Sequence, residues 1–186
     1  MFSQAHYHST ITLNRSIAQN ILIVILANVL LAFASQFALH LWWPVPITLQ
    51  SAMVVLLGLT LGSKRAAAAV AMYLVEGAAG LPVFAGGLSG FSFLVGASGG
   101  YLWGFLPAAF LAGFLMEQGL AKNIFTTFFA ALSSSSVIFL LGVSHLAMLL
   151  GWEKAYAFGL QPFLIIEPIK LAIASVIALF CWKDVL

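Results

Sequence analysis

Charge is scarce in this chain. Only 6% of its 186 residues are Asp, Glu, Lys or Arg, whereas a soluble domain carries about a quarter. Seven Lys/Arg and five Asp/Glu cannot cover a water-facing surface of this size, so hydrocarbon must be the solvent over most of the outside. A net charge of +2 is too small to point to nucleic acid. The one cysteine, Cys181, excludes a disulfide framework and reads as a small residue within the membrane. No G-x-x-x-x-G-K-[ST] run is present, so ATP hydrolysis by a P-loop is not expected. The histidines are His6, His8, His40 and His145, and none stands at zinc-ligand spacing from a Cys or acid. His6 and His8 read as a solvated tail. No metal, cofactor or enzymatic activity is expected.

What is present is apolar: 63% of residues are hydrophobic and the mean hydropathy is +1.11. In lipid every backbone N–H and C=O must be satisfied within the protein, which leaves helices or closed barrels. A barrel would alternate apolar and polar residues. Stretches 21–33 and 171–180 are unbroken instead, so an all-α membrane protein is predicted. Gln4, His6, His8 and Asn14 precede the first long apolar run, which differs from a cleavable leader.

Six spans are predicted within one membrane-embedded domain, residues 1–186: about 16–39, 49–62, 66–80, 99–116, 124–150 and 163–182. The second and third are shorter than the roughly 20 residues of a straight crossing. Both adjoin Pro/Gly-rich stretches, 40–48 and 80–100. Irregular backbone at membrane depth must be buried in protein or line a cavity, which is the first pointer to a pocket. With the N-terminus inside, Arg15, Lys64, Arg65, Lys122 and Lys183 are cytoplasmic and Lys154, beside Glu153, lies outside. Both termini are then cytoplasmic, and Trp42, Trp43 and Trp152 form an outer aromatic belt.

Three ionisable residues fall within spans: Glu76, Glu167 and Lys170. A charge at that depth is expensive and usually functional. Glu167 and Lys170 are three apart and share a helix face. They read either as a structural ion pair or as two groups pointing into a ligand cavity, where the carboxylate accepts N–H bonds and the ammonium meets an anion or carbonyl. Pro168 between them removes one helical N–H. Glu76 reads as an interfacial residue or as the partner of a polar group on a neighbouring helix. Pro44 and Pro46 make a rigid lead into the second span, with Thr48 placed to cap it and Gln50 in its first turn. Stretch 80–101 combines glycines for tight turns with Leu81, Val83, Phe84, Phe91 and Phe93. These side chains are costly to expose, so the loop is predicted to fold back as a lid. Tyr101 follows it as an amphipathic ring.

The run PVPITLQ at 44–50, the G-x-x-GLPVFAGG pattern around 77–87 and GGYLxGF at 99–105 together resemble the biotin-specific substrate-binding subunits of energy-coupling-factor transporters, the BioY family. The similarity runs from about Gln36 to Gly113 and resumes at Pro162, with the acid and lysine of the last span. It implies a six-helix bundle in a bacterial cytoplasmic membrane that binds biotin from outside. It also implies a transmembrane coupling protein and cytoplasmic ATPase subunits as partners. The substrate-binding residues it implies are Gln36, Thr48, Gln50, Phe84, Gly99, Tyr101, Glu167 and Lys170. It places docking to the coupling protein at Asn28 and Ala32. The chain departs from the family pattern at Glu167, usually Asp, and at Pro168, usually Leu-like. It departs also at 96–98 and at Glu76, where an apolar residue is common; Asn28 and Ala32 stand where two alanines are typical. Biotin's ureido N–H groups suit Glu167, and its carboxylate or its ureido carbonyl suits Lys170.

Composition alone allows a different small vitamin, or a passive channel. It also allows an intramembrane serine protease: Gly87-Leu-Ser89-Gly90 resembles the G-x-S-G of rhomboid enzymes, with His145 on a later span as the base.

Overall fold

The computed structural model describes residues 16–39 and 44–183, with side chains to Cys181. The readings of His6, His8, Arg15, His40, Trp42, Trp43 and the Lys183 side chain lie outside the described residues.

Helix α1, Ile17–Gln36, opens with a reciprocal cap: the Gln19 N–H donates to Ser16 Oγ at 3.2 Å, and the Ser16 N–H donates to Gln19 Oε1 at 3.0 Å. Its outward face, including Leu22, Leu26, Val29 and Phe33, is exposed, while Ala27, Asn28, Leu31 and Ala34 are buried. The helix ends at Gln36, not at residue 39. Ala38–Leu39 (β1) instead pairs antiparallel with Ile47–Thr48 (β2). Strand pairing there satisfies backbone groups that a helix cannot continue to satisfy ahead of the prolines.

Helices α2, Gln50–Leu61, and α3, Ser63–Ala78, meet at Gly62. Gly62 has φ +83, a left-handed conformation that glycine adopts without strain. Helix α3 starts at Ser63, three residues before the predicted span. Glu117 explains the earlier start: it accepts the Ser63 N–H at 2.7 Å and the Ser63 hydroxyl at 2.8 Å. A carboxylate at a helix N-terminus satisfies an orphan donor and complements the dipole. It also offsets Lys64 and Arg65, which fall in the first turn of α3.

A 3-10 turn, Ala85–Gly87, and a short helix α4, Phe91–Val95, follow. Helix α5, Gly99–Glu117, is the central element. It packs most extensively on α6, Ile124–Leu150, and also on α2 and α3. The chain then forms α7, Trp152–Lys154, a π-helical turn, Ala155–Leu160, and α8, Phe163–Lys183, which continues through Pro168.

Among the described residues four segments are long and apolar enough to cross a membrane: Ile17–Gln36, Gly99–Glu117, Ile124–Leu150 and Trp152–Cys181. Among the described residues the regular structure is all-helical apart from the two-stranded bridge, and the surface displays Leu, Ile, Val and Phe. Cys181 is exposed on that surface.

Candidate functional site

The N-terminal end of α2, the lid segment and the facing sides of α5, α6 and α8 enclose a cavity. One wall is polar: Thr48, Gln50, Ser51 and Ser98. The Gln50 N–H donates to Thr48 Oγ1 at 3.3 Å, and that hydroxyl donates to Gln50 Oε1 at 3.2 Å. Thr48 therefore does bond the start of α2, although Leu49 holds the N-cap position. Gln50 Nε2 donates to the buried Tyr73 hydroxyl, so both ends of the amide are held.

Much of the remaining lining is aromatic. Tyr101 meets Phe139 edge-on at 5.9 Å, and Phe163 lies 5.2 Å from Phe139 and 6.5 Å from Tyr101. The Tyr101 hydroxyl donates to the Gly159 carbonyl at 2.8 Å. That acceptor comes from the π-helical turn.

Behind the polar wall lies the acid–base pair. Lys170 Nζ is 2.5 Å from Glu167 Oε2. It also donates to the Thr48 carbonyl at 2.8 Å and to Ser51 Oγ at 2.7 Å. Glu167, 4% exposed, accepts from Ser135 at 2.9 Å and from Ser51 at 3.0 Å. Every ammonium proton is engaged, as burial of an ion pair requires. Neither charged group lines the cavity itself; they reach it through Ser51, which touches both. The pair is thus a satisfied ion pair placed one hydroxyl away from the cavity. Ser51→Ala is expected to lower the unfolding free energy by about 1–2 kcal/mol, because two charged groups lose a hydrogen bond. Ser51→Thr, which keeps the hydroxyl, should lose less. Thermal unfolding in detergent reads both.

The lid covers this space. Phe84 is fully buried, stacked on Phe93 at 5.3 Å and edge-on to Tyr73 at 5.5 Å. Its ring fills the room a Cβ at Gly77 would need. The far end of the lid is fastened by side-chain donors. Trp103 Nε1 donates to the Leu94 carbonyl at 3.1 Å, and His145 Nε2 lies 3.0 Å from the Gly96 carbonyl. Of the apolar residues behind the predicted fold-back, Phe84 is buried and Val83 and Phe93 are half-buried, while Leu81 and Phe91 stay exposed. The enclosed space is about 40 Å³, room for a few waters.

A model of the BioY family matches residues 5–186. The chain belongs to the BioY family. A BioY protein of Pyrococcus horikoshii is 35% identical over 161 residues, 87% of this chain and 94% of that one. A Thermotoga maritima protein named biotin transporter BioY is 42% identical over 138 residues, 73% of this chain and 80% of its own. A crystal structure of the S-component for biotin from an ECF-type ABC transporter superposes with a TM-score of 0.77. It covers 91% of this chain and 95% of that one at 23% identity, so the two share a fold.

In this BioY chain the residues singled out from the sequence fall into three groups. Thr48, Gln50 and Tyr101 line the cavity. Glu167 and Lys170 stand behind Ser51. Phe84, Gln36 and Gly99 shape the lid without lining the cavity: Gln36 Nε2 donates to Ser35 Oγ at 2.8 Å and reaches the Phe84 carbonyl, and Gly99 lets the Leu94 carbonyl approach α5. Asn28 is turned into the bundle, 3% exposed, and Ala32 is half-buried on the same side of α1. Ser51, Phe139 and Phe163 were not singled out, because each sits in an apolar or Ser-rich run with no local signal of its own. No hydrogen bond joins Ser89 to His145 among the described residues, and His145 is taken up by the lid carbonyls.

Proposed function

We propose that this chain binds biotin at the outer side of a bacterial cytoplasmic membrane and serves as the substrate-specific subunit for its uptake by an energy-coupling-factor transporter. The BioY family, the names borne by its relatives and the shared fold support that reading. The observation that carries it is a cavity lined by three aromatic rings, a held amide and hydroxyls, with an acid–base pair one hydroxyl behind it at Ser51. Biotin offers a flat ureido ring with two N–H donors and a carbonyl, an apolar thioether ring and a carboxylate. The aromatic wall of Tyr101, Phe139 and Phe163 suits the apolar ring. Thr48, Gln50 and Ser51 suit the ureido edge.

On entry the ligand separates Glu167 from Lys170. The carboxylate then accepts ligand N–H bonds, and the ammonium meets a ligand oxygen. Gln36, Phe84 and Gly99 act by closing the lid. The whole chain works as one membrane-embedded unit of six crossing helices with both termini cytoplasmic. Lys64 and Arg65 lie at the end of the bundle where Ser63 meets Glu117, and Arg65 donates to Asn20 near the start of α1 at 2.9 Å. That clustering of basic residues supports the orientation. ATP hydrolysis belongs to partner subunits, and a coupling protein docks along α1 beside Ala32, with Asn28 holding α1 in place.

Calorimetric titration of the purified protein with biotin, thiamine and riboflavin tests the reading. Saturable binding is expected for biotin alone. Preference for either other vitamin, or no binding of any, overturns it.

A further inference from the structure

Tyr73 of α3 is fully buried and stands outside the cavity lining, yet it touches the cavity wall and the lid together. Gln50 Nε2 of α2 donates to its hydroxyl. Its ring is edge-on to Phe84 of the lid, with centroids 5.5 Å apart. Ser35 of α1, also fully buried, is the second side chain that hydrogen-bonds the hydroxyl. Helix α1 is pinned to α3 close by, where Asn28 Nδ2 donates to Glu76 Oε2 at 2.7 Å.

The direction of these bonds is set at Ser35. Its Oγ lies 2.5 Å from the Val83 carbonyl of the lid and 2.6 Å from the Ala32 carbonyl. Carbonyls only accept, so the single proton of the Ser35 hydroxyl goes to them. Gln36 Nε2 donates to the same oxygen at 2.8 Å. Toward Tyr73, Ser35 therefore has only a lone pair to offer, and the phenol gives its own proton to Ser35. Only lone pairs of the phenol then remain for Gln50. The amide must turn its NH2 to Tyr73, which leaves Oε1 for Thr48 Oγ1 at 3.2 Å. Thr48 by itself would not choose between the two ways round, because a hydroxyl donates to an amide oxygen or accepts from an amide NH2 equally well.

We propose that Tyr73 is a positioning residue for ligand binding, its hydroxyl fixing which way round the Gln50 amide faces the cavity. The role rests on the reading of biotin as the ligand, with its ureido edge against Thr48 and Gln50. A ureido ring offers N–H donors and a carbonyl at fixed places. An amide turned the other way sets donor against donor, and a buried donor without a partner is costly.

A double-mutant cycle on the full chain in detergent, read by calorimetric titration with biotin, tests the role. Tyr73→Phe keeps the ring and its contact with Phe84 and removes only the hydroxyl. It is expected to weaken biotin binding about tenfold. In a Gln50→Ala background the same substitution should change affinity by less than about twofold, since there is no amide left to orient. A structural role alone would cost the same in both backgrounds. Raman difference spectra supply a second readout that needs no ligand: the intensity ratio of the tyrosine ring doublet reports whether a phenol donates, accepts or does both. Wild type minus Tyr73→Phe should show a phenol that does both, and wild type minus Ser35→Ala should show the donated bond lost. Equal biotin affinity in wild type and Tyr73→Phe overturns the proposal. So does an equal loss in the Gln50→Ala background, or a Tyr73 phenol that only donates. A wild type that binds no biotin overturns the functional reading and the positioning role with it, while the Raman doublet still decides the direction of the bonds.

Discussion

Lys170→Met is expected to lower the unfolding free energy by about 3–5 kcal/mol, because it leaves Glu167 as an uncompensated buried charge, and to abolish biotin binding. Glu167→Gln/Lys170→Met should recover most of the stability. Replacing both partners of a buried pair by uncharged groups of similar volume is often neutral, and Gln can accept from one of the two serines through its carbonyl and donate to the other through its NH2, where Ser135 and Ser51 now donate to the two Glu167 oxygens at 2.9 and 3.0 Å. The double variant should nonetheless remain unable to bind biotin. Denaturant unfolding followed by tryptophan fluorescence, with calorimetric titration of the same samples, separates the two effects. If the double variant binds biotin like the wild type, the pair is structural only and the ligand site lies elsewhere.

Gly142→Ala should weaken biotin binding at least tenfold, or about 1.4 kcal/mol, with a further loss of about 1–3 kcal/mol in stability from overpacking. A Cβ at residue 142 would fall on the Tyr101 ring. That ring cannot retreat. Its hydroxyl is held by the Gly159 carbonyl at 2.8 Å, and Phe139 and Phe163 occupy its other sides. The ring must swing toward the cavity or pull α5 from α6. Removing the ring in the same background, as Gly142→Ala/Tyr101→Ala, should restore part of the stability without restoring affinity. Unchanged affinity in Gly142→Ala would show that the aromatic wall does not touch the ligand.

Several features of the site were legible in the linear chain because their signals are local. Thr48 and Gln50 follow two prolines that force an extended lead into a helix. Tyr101 follows a glycine cluster, and Glu167 and Lys170 are charges inside an apolar run. Ser51 had no such mark. A serine in the first turn of a helix is ordinary, and only the meeting of α2 with α8 makes it the link between the ion pair and the cavity. Phe139 and Phe163 are likewise unremarkable among 16 phenylalanines until α6 and α8 bring them to Tyr101. The choice left open for Glu167 and Lys170, ion pair or ligand groups, was a question of distance, which helical spacing cannot answer.

Scarce charge and long apolar runs were sufficient by themselves to determine that this chain is helical and lives in lipid, since solvation of backbone and side chains is a sum over residues. The family pattern is likewise written in the order of residues. Which groups share a cavity and which charge finds a partner were decided by helix packing alone. Those outcomes depend on contacts between residues up to 122 positions apart, as between Lys170 and Thr48. Burial turns such contacts from optional to obligatory, because within hydrocarbon no water stands in for a missing partner.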